Sequence, residues 1–286
     1  MPELPEVESL VRALAARATG LAVTKCELAS ISALKTFDPP LSSLEGRKLL
    51  GCTRRGKFLC LDLEGRYLVF HLARSGFLRW REDLKPGPAR QGRGPLALRV
   101  RFEDGSGFEL TEMSREKRLA IYVVDELTLV PGIARLGIDA LDPELDEAKL
   151  ASLLAGSSGT VKSVLADQTV IAGIGNAYSD EILHAAKLSP FAKASKLRPD
   201  EVTRLHSAMV SILADALERS SGLAASELKA EKKRGLQVHG RAGETCPVCG
   251  DVVREVSFAT RSFQYCATCQ TEGRVLADRR LSRLLK

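Results

Sequence analysis

Cys246-Pro-Val-Cys-Gly-Asp-Val-Val-Arg-Glu-Val-Ser-Phe-Ala-Thr-Arg-Ser-Phe-Gln-Tyr-Cys-Ala-Thr-Cys269 decides the fold at this end of the chain. It holds two Cys-x-x-Cys pairs, Cys246 with Cys249 and Cys266 with Cys269, separated by 16 residues. Four thiolates at that spacing suit tetrahedral zinc, and a closed set of four leaves no position for water or substrate. The zinc is therefore expected to be structural. The chain opens without a basic region and apolar core of the secretory kind, so metal binding is expected rather than disulfides. Between the pairs, Ser257-Phe-Ala-Thr and Ser262-Phe-Gln-Tyr alternate as a hairpin does, which makes this a zinc-ribbon type of finger. Arg261 lies near the hairpin turn, where a guanidinium can reach a phosphate, although a solvated turn residue is an equal reading.

Upstream of the finger the apolar spacing is helical at 145–155, 161–166, 176–187 and 199–219. Asp167-Gln-Thr-Val-Ile-Ala-Gly-Ile-Gly-Asn176 joins two of these segments. Gly173 and Gly175 permit a tight turn, and Asn176 opens the next helix, either as an ordinary N-cap or at a terminus that binds a phosphate. Before Val130-Pro-Gly132 the character differs. Lys57–Leu63, Tyr67–Leu72, 97–102 and 120–124 read as short strands parted by Gly turns at Glu64-Gly65 and Asp104-Gly105, which implies a sandwich or barrel. The Pro-, Gly- and Arg-rich stretch from Lys85 to Pro95 is an expected exposed loop. Val7, Leu10, Val11 and Leu14 mark one face of an opening helix that Gly20 closes.

The 286 residues suffice for two cores. A net charge of +6 and a pI near 9.0 favour a polyanionic partner. No apolar run reaches the roughly 18 residues of a membrane span, and a cytoplasmic location is expected. Of the 7 cysteines, Cys26, Cys52 and Cys60 stand apart from the finger and read as small core residues.

The start, Met-Pro-Glu-Leu-Pro-Glu-Val-Glu, carries a second kind of chemistry. Once Met1 is removed, Pro2 presents a secondary α-amine, and α-amines titrate near 7.7–8.0, well below lysine. Glu3 and Glu6 follow within about a helical turn, and an amine beside a proton donor is the minimum set for Schiff-base chemistry. A plain helix start accounts for Pro5, Glu6 and Glu8 but not for Pro2 or Glu3. Lys57 begins a strand at a sharp turn after Arg54-Arg55-Gly56. His71, late in an apolar strand, reads by itself as a buried, satisfied histidine.

Taken in order, Pro-Glu-Leu-Pro-Glu at the start, Gly56-Lys57, His71-Leu-x-x-Ser-Gly76, Asp167-Gln…Ala-Gly-Ile-Gly-Asn176 and a finger carrying Arg261 resemble the formamidopyrimidine-DNA glycosylase/endonuclease VIII family. The resemblance runs from Pro2 to about Gln270, and the N-terminus looks like the formamidopyrimidine branch. It implies an α+β multidomain chain. An N-terminal catalytic β-sandwich with flanking helices would span 1–132, a helix-two-turn-helix segment 133–238, the four-cysteine finger 239–272 and a basic tail 273–286. It implies a bifunctional DNA glycosylase and abasic-site lyase of base excision repair, with one structural zinc ion. The expected partner is double-stranded DNA bearing damaged bases or abasic sites, bound by a monomer associated with the nucleoid. By the resemblance Pro2 attacks C1′ of a flipped nucleoside, Glu3 handles protons at the sugar, and Glu6 supports the amine. Lys57, Asn176 and Arg261 grip phosphates, and His71, Arg74, Arg118 and Leu119 are expected to face DNA.

The chain departs from the family where substrate choice is made. The common His-Leu-Gly-Met-Ser-Gly is here His71-Leu-Ala-Arg74-Ser-Gly76. The usual Asp-Pro-Arg-Arg-Phe-Gly wedge becomes a segment with Glu116-Lys117-Arg118-Leu119, in which Leu119 takes the phenylalanine's place across a gap. Residues 222–237 are short and highly charged where a longer lesion-capping loop is common. The tail adds Arg274, Arg279, Arg280, Arg283 and Lys286. Alternatives are a damaged-DNA-binding relative without chemistry, a glycosylase of the endonuclease VIII kind acting on oxidised pyrimidines, and a zinc ribbon for RNA or protein.

Overall fold

The computed structural model describes residues 1–85, 94–114, 116–257 and 262–277. The chain forms two compact units, one of residues 1–135 with 220–229, the other of residues 136–219 with 230–286. Residues 220–229 thus group with the N-terminal unit, apart in sequence from the rest of it.

The first unit begins with helix α1 (Leu4–Ala18), followed by strands β1 (Val23–Leu28), β2 (Leu49–Arg55), β3 (Phe58–Leu63), β4 (Arg66–His71), β5 (Gly76–Arg81), β6 (Leu96–Phe102), β7 (Gly107–Glu112) and β8 (Ala120–Val124). They make two four-stranded antiparallel sheets, ordered β1-β6-β7-β5 and β2-β3-β4-β8. Leu59, Leu61 and Leu63 alternate along β3 and meet Leu98, Val100, Phe102, Phe108 and Leu110 in one core. The same alternation turns Cys60 to the opposite face, against Val69, Val124 and Val130. α1 lays Val7, Leu10, Val11 and Leu14 on the main core, the face that the spacing predicts. Each of those side chains contributes about 1.5–3 kcal/mol by leaving water. Leu228 joins that core, with Leu223 and Ala225 packed against it, and Ser9 donates to the Ser220 carbonyl at 2.7 Å. Burial pushes the thiols of Cys26 and Cys60 up to about 12, so they are inert packing residues as expected.

The second unit opens with the short parallel pair β9 (Ile138–Asp139) and β10 (Ile171–Ala172), which flank α2 (Glu147–Ala155) and α3 (Val161–Ala166). Helices α4 (Asn176–Ala185) and α5 (Pro199–Ser220) follow, and α6 (Leu228–Gly235) begins in the 220–229 segment of the first unit and continues into the second. The finger is the antiparallel pair β11 (Val253–Ser257) and β12 (Ser262–Cys266), closed by α7 (Ala267–Thr271). The first finger strand covers Val253–Ser257, with Val253 and Val256 buried, and Phe258-Ala-Thr of the expected alternation lies outside the described residues. Arg261, most of the Lys85–Pro95 stretch and the tail beyond 277 lie outside the described residues. Among the described residues no helix is long and apolar enough to cross a membrane.

Candidate active site and metal centre

Glu3 is the N-cap of α1, and its extended backbone turns Pro2 out of the helix. A capping box ties Glu3 to Glu6. The Glu3 carboxylate takes the Glu6 N–H, and the Glu3 N–H donates to Glu6 Oε2 at 2.8 Å. Both acids are buried, at 2% and 5% exposed, whereas Met1 is 47% exposed and Pro2 half-buried. Glu3 is therefore held by a neighbouring carboxylate in a fixed, poorly hydrated place next to Pro2. Pro5 occupies the first turn, where a missing N–H costs nothing.

One end of the sandwich gathers the other N-terminal candidates. Arg54 bridges Glu8 of α1 at 3.2 Å and donates to the Gly56 carbonyl at 2.9 Å, which joins α1 to the β2–β3 turn. In that turn Gly56 has φ +54° and Lys57 has no positive φ, the pattern of a type II′ hairpin. Lys57 is only 5% exposed. The registers Leu59↔Phe70, His71↔Ala120 and Gly76↔Glu112 carry the β2–β3 turn, the 72–75 loop and the 113–119 loop to the same end.

His71 packs against Phe58 with ring centroids 4.9 Å apart, and its Nδ1 accepts the Ala73 N–H at 3.2 Å. Burial, helped by the Lys57 ammonium, pulls its pKa down to about 4, so the ring is neutral at physiological pH. The loop after it is tight. Ala73 sits at φ +51°, and the Gly76 N–H bonds to Leu72 O at 2.8 Å, so closely that a Cβ on Gly76 would lie 2.2 Å from that oxygen. Arg74, at the tip, is exposed.

The 113–119 loop corrects one expectation. Leu119 is 1% exposed and belongs to the sandwich core, so its side chain is not available as a wedge. The cause is Glu112, buried at 2% exposure, whose carboxylate accepts the backbone N–H of Arg118 at 2.8 Å and of Leu119 at 3.1 Å. Those bonds draw Leu119 inward at the start of β8. Arg118 stays exposed and pairs with Glu116 at 2.9 Å. The apolar side chain the loop does offer is Met113, 70% exposed, whose N–H bonds to Ser75 O at 3.3 Å beside the Arg74 loop. Sequence reasoning missed Met113 and Glu112, although a methionine in a polar loop was a readable signal.

In the second unit Gln168 shapes the glycine turn, donating to Ile174 O at 2.7 Å and accepting the Gly173 N–H at 3.0 Å. Gly173 has φ +104°. Gly175, not Asn176, is the N-cap of α4. The Asn176 amide is thereby released from capping, and its Nδ2 donates to the Ser262 carbonyl of the finger hairpin at 2.8 Å. Buried acids next to it, unremarked in the sequence, join α4 to the finger. Asp180 accepts from Lys162 Nζ at 2.6 Å, His239 Nδ1 at 2.7 Å and the Gln264 N–H at 3.2 Å. Glu181 accepts three successive backbone N–H groups, of Gln237, Val238 and His239, at 2.7–3.0 Å.

Cys246, Cys249, Cys266 and Cys269 place their sulfurs within 4.8 Å of one another. Sulfurs about 2.3 Å from a tetrahedral zinc lie roughly 3.8 Å apart. The Cys246–Cys269 and Cys249–Cys266 separations, 3.9 and 3.3 Å, fit such an ion. Gly250, at φ +78°, turns the first knuckle and donates to the Cys246 carbonyl at 3.0 Å.

Comparison with known proteins agrees over nearly the whole chain. Residues 1–118 match the family described as Formamidopyrimidine-DNA glycosylase N-terminal domain, 136–227 its H2TH domain, and 243–271 the zinc finger found in FPG and IleRS. A Formamidopyrimidine-DNA glycosylase of Symbiobacterium thermophilum is 36% identical, over 98% of this chain and 93% of that one. An uncharacterised formamidopyrimidine-DNA glycosylase-like protein of Mycobacterium tuberculosis is 65% identical over 151 residues, 53% of this chain and 94% of that one. The crystal structure of a Lactococcus lactis formamidopyrimidine-DNA glycosylase, non-covalently bound to DNA containing an AP site, aligns with TM-score 0.81 and 27% identity. That alignment covers 94% of this chain and 99% of that one.

Proposed function

The chain belongs to the formamidopyrimidine-DNA glycosylase family, and we propose that its chemistry is carried by Pro2 and Glu3 at the sandwich end described above. It is a DNA glycosylase with abasic-site lyase activity, acting on damaged DNA in base excision repair. The zinc is structural.

The observation that carries the assignment is the Glu3–Glu6 capping box, which holds a buried carboxylate directly beside Pro2. With Met1 removed, the Pro2 nitrogen attacks C1′ of the flipped nucleotide and the bond to the damaged base breaks, the base leaving with a proton. Glu3 delivers a proton to the ring oxygen as the sugar opens, which gives an iminium between Pro2 and C1′. That cation draws electrons from C2′, so loss of a C2′ proton expels the 3′ phosphate, and a second elimination expels the 5′ phosphate. Water then releases the sugar fragment from Pro2. Glu6 holds residues 2 and 3 in place. Lys57, Asn176 and Arg261 bind phosphates around the lesion. Neutral His71, Arg74 and Arg118 contact the strand near the flipped base, and Met113, rather than Leu119, enters the stack.

The first unit supplies the reaction and the helical segment with the finger supplies the grip on DNA. One chain carries every group invoked, so the protein acts as a monomer, and a nucleoid location follows from its substrate. The test is Glu3→Gln in protein whose N-terminus is verified as Pro2. The amide preserves the cap but has no proton to give, so base excision should fall by roughly 10²-fold or more. Wild-type excision by a folded Glu3→Gln protein would remove Glu3 from the mechanism.

A further inference from the structure

α4 meets the finger along a single ridge. Asn176, Asp180 and His184 lie at i, i+4 and i+8, and each bonds to the finger at a different point. Asn176 holds the Ser262 carbonyl and Asp180 takes the Gln264 N–H, both on β12. The third member, His184, is 5% exposed and brings its Nε2 to 3.4 Å from Cys246 Sγ. No step of the reaction uses this histidine.

The four cysteines already close a tetrahedral shell, so the imidazole stands outside it. With zinc bound, Cys246 is a thiolate without a proton, and two lone pairs facing each other would repel. Contact at this distance therefore requires the ring nitrogen to be the donor. We propose that His184 is a positioning residue of the zinc site, carrying its proton on Nε2, whose N–H···S bond to Cys246 slows loss of the ion and locks the finger onto the end of α4. A donor of this kind spreads the sulfur's charge and fixes its direction. Partners just outside a metal's ligand shell are typically worth about 10- to 100-fold in affinity. Burial makes the bond count, because no water is at hand to replace it. The remainder of the ridge then carries the consequence to Asn176, a phosphate contact in the function proposed above. That last link alone rests on the proposed DNA role.

The zinc-loaded wild-type chain provides the direct test. Long-range ¹H–¹⁵N correlation spectra of its imidazoles should show His184 as the Nε2–H tautomer. The Nδ1–H tautomer would overturn the proposal, since that ring cannot donate to Cys246. Zinc transfer to a chromogenic chelator gives a second readout. His184→Phe keeps the ring's bulk and should release zinc roughly ten times faster, while His184→Gln, which keeps an N–H donor, should recover much of the difference. Equal rates for His184→Phe and wild type would also overturn it. Duplex affinity of His184→Phe should fall as zinc is lost and return with added zinc. Failure of the wild type to bind any duplex would instead count against the DNA reading and leave the zinc result standing.

Discussion

A histidine packed against Phe58, with the Lys57 ammonium near it, is costly to protonate. The folded pKa of His71, about 4, lies below its ordinary 6.5. Its contribution to stability is therefore full above pH 6.5 and is lost progressively as pH falls toward 4. That shift corresponds to at most about 3 kcal/mol. Urea unfolding midpoints should fall more steeply between pH 7 and 4.5 for wild type than for His71→Gln; parallel curves would show that the ring is hydrated. Ala73 offers a second test at this scale. Its φ of +51° is left-handed, a region that costs a residue with a Cβ about 1–2 kcal/mol. Ala73→Gly should raise the melting temperature, with a gain of about 1 kcal/mol.

At the scale of elements, the 72–75 and 113–119 loops share one end because of strand register, and register is what a single sequence conceals most. The opening helix, the strands at 97–102 and 120–124 and the helix at 161–166 were legible because their apolar periods are clean. β1, β2, β5 and β7 carry no clean apolar alternation, since exposed Lys25, Arg55 and Arg79 break the first three and β7 ends on the buried acid Glu112. Leu119 was misplaced for the same reason. Motif order suggests a wedge, but only the fold reveals that the Glu112 carboxylate draws that backbone inward. Met113 now takes the exposed place. Met113→Ala should leave melting unchanged, because the side chain is 70% exposed, yet lower kcat/KM on a lesion-bearing duplex several-fold. Unchanged kinetics would rule out insertion by Met113.

For the whole molecule, the N-terminal amine, the glycine turn and the four cysteines were readable from the chain, because each requires particular residue types at a fixed spacing. The ridge of α4 was not, since Asp180, Glu181 and His184 acquire meaning only when β12 and the 236–239 turn lie against them. Each unit has its own core, so zinc removal should be felt unequally. The one tryptophan, Trp80, stacks on Phe102 in the sandwich. Chelation, or Cys266→Ser, should abolish duplex binding while the Trp80 unfolding transition stays within error. Retained affinity would show the finger to be dispensable. Arg261→Ala should weaken binding at all sequences and reduce the salt slope by about 1.

The chemistry proposed above makes the N-terminal amine the nucleophile, and not the buried Lys57. Borohydride reduction during reaction with an abasic-site duplex, followed by digestion and mass spectrometry, decides between them. One covalent sugar adduct is expected, on the peptide that begins at Pro2. An adduct on Lys57, or none from protein that begins at Pro2, would contradict it.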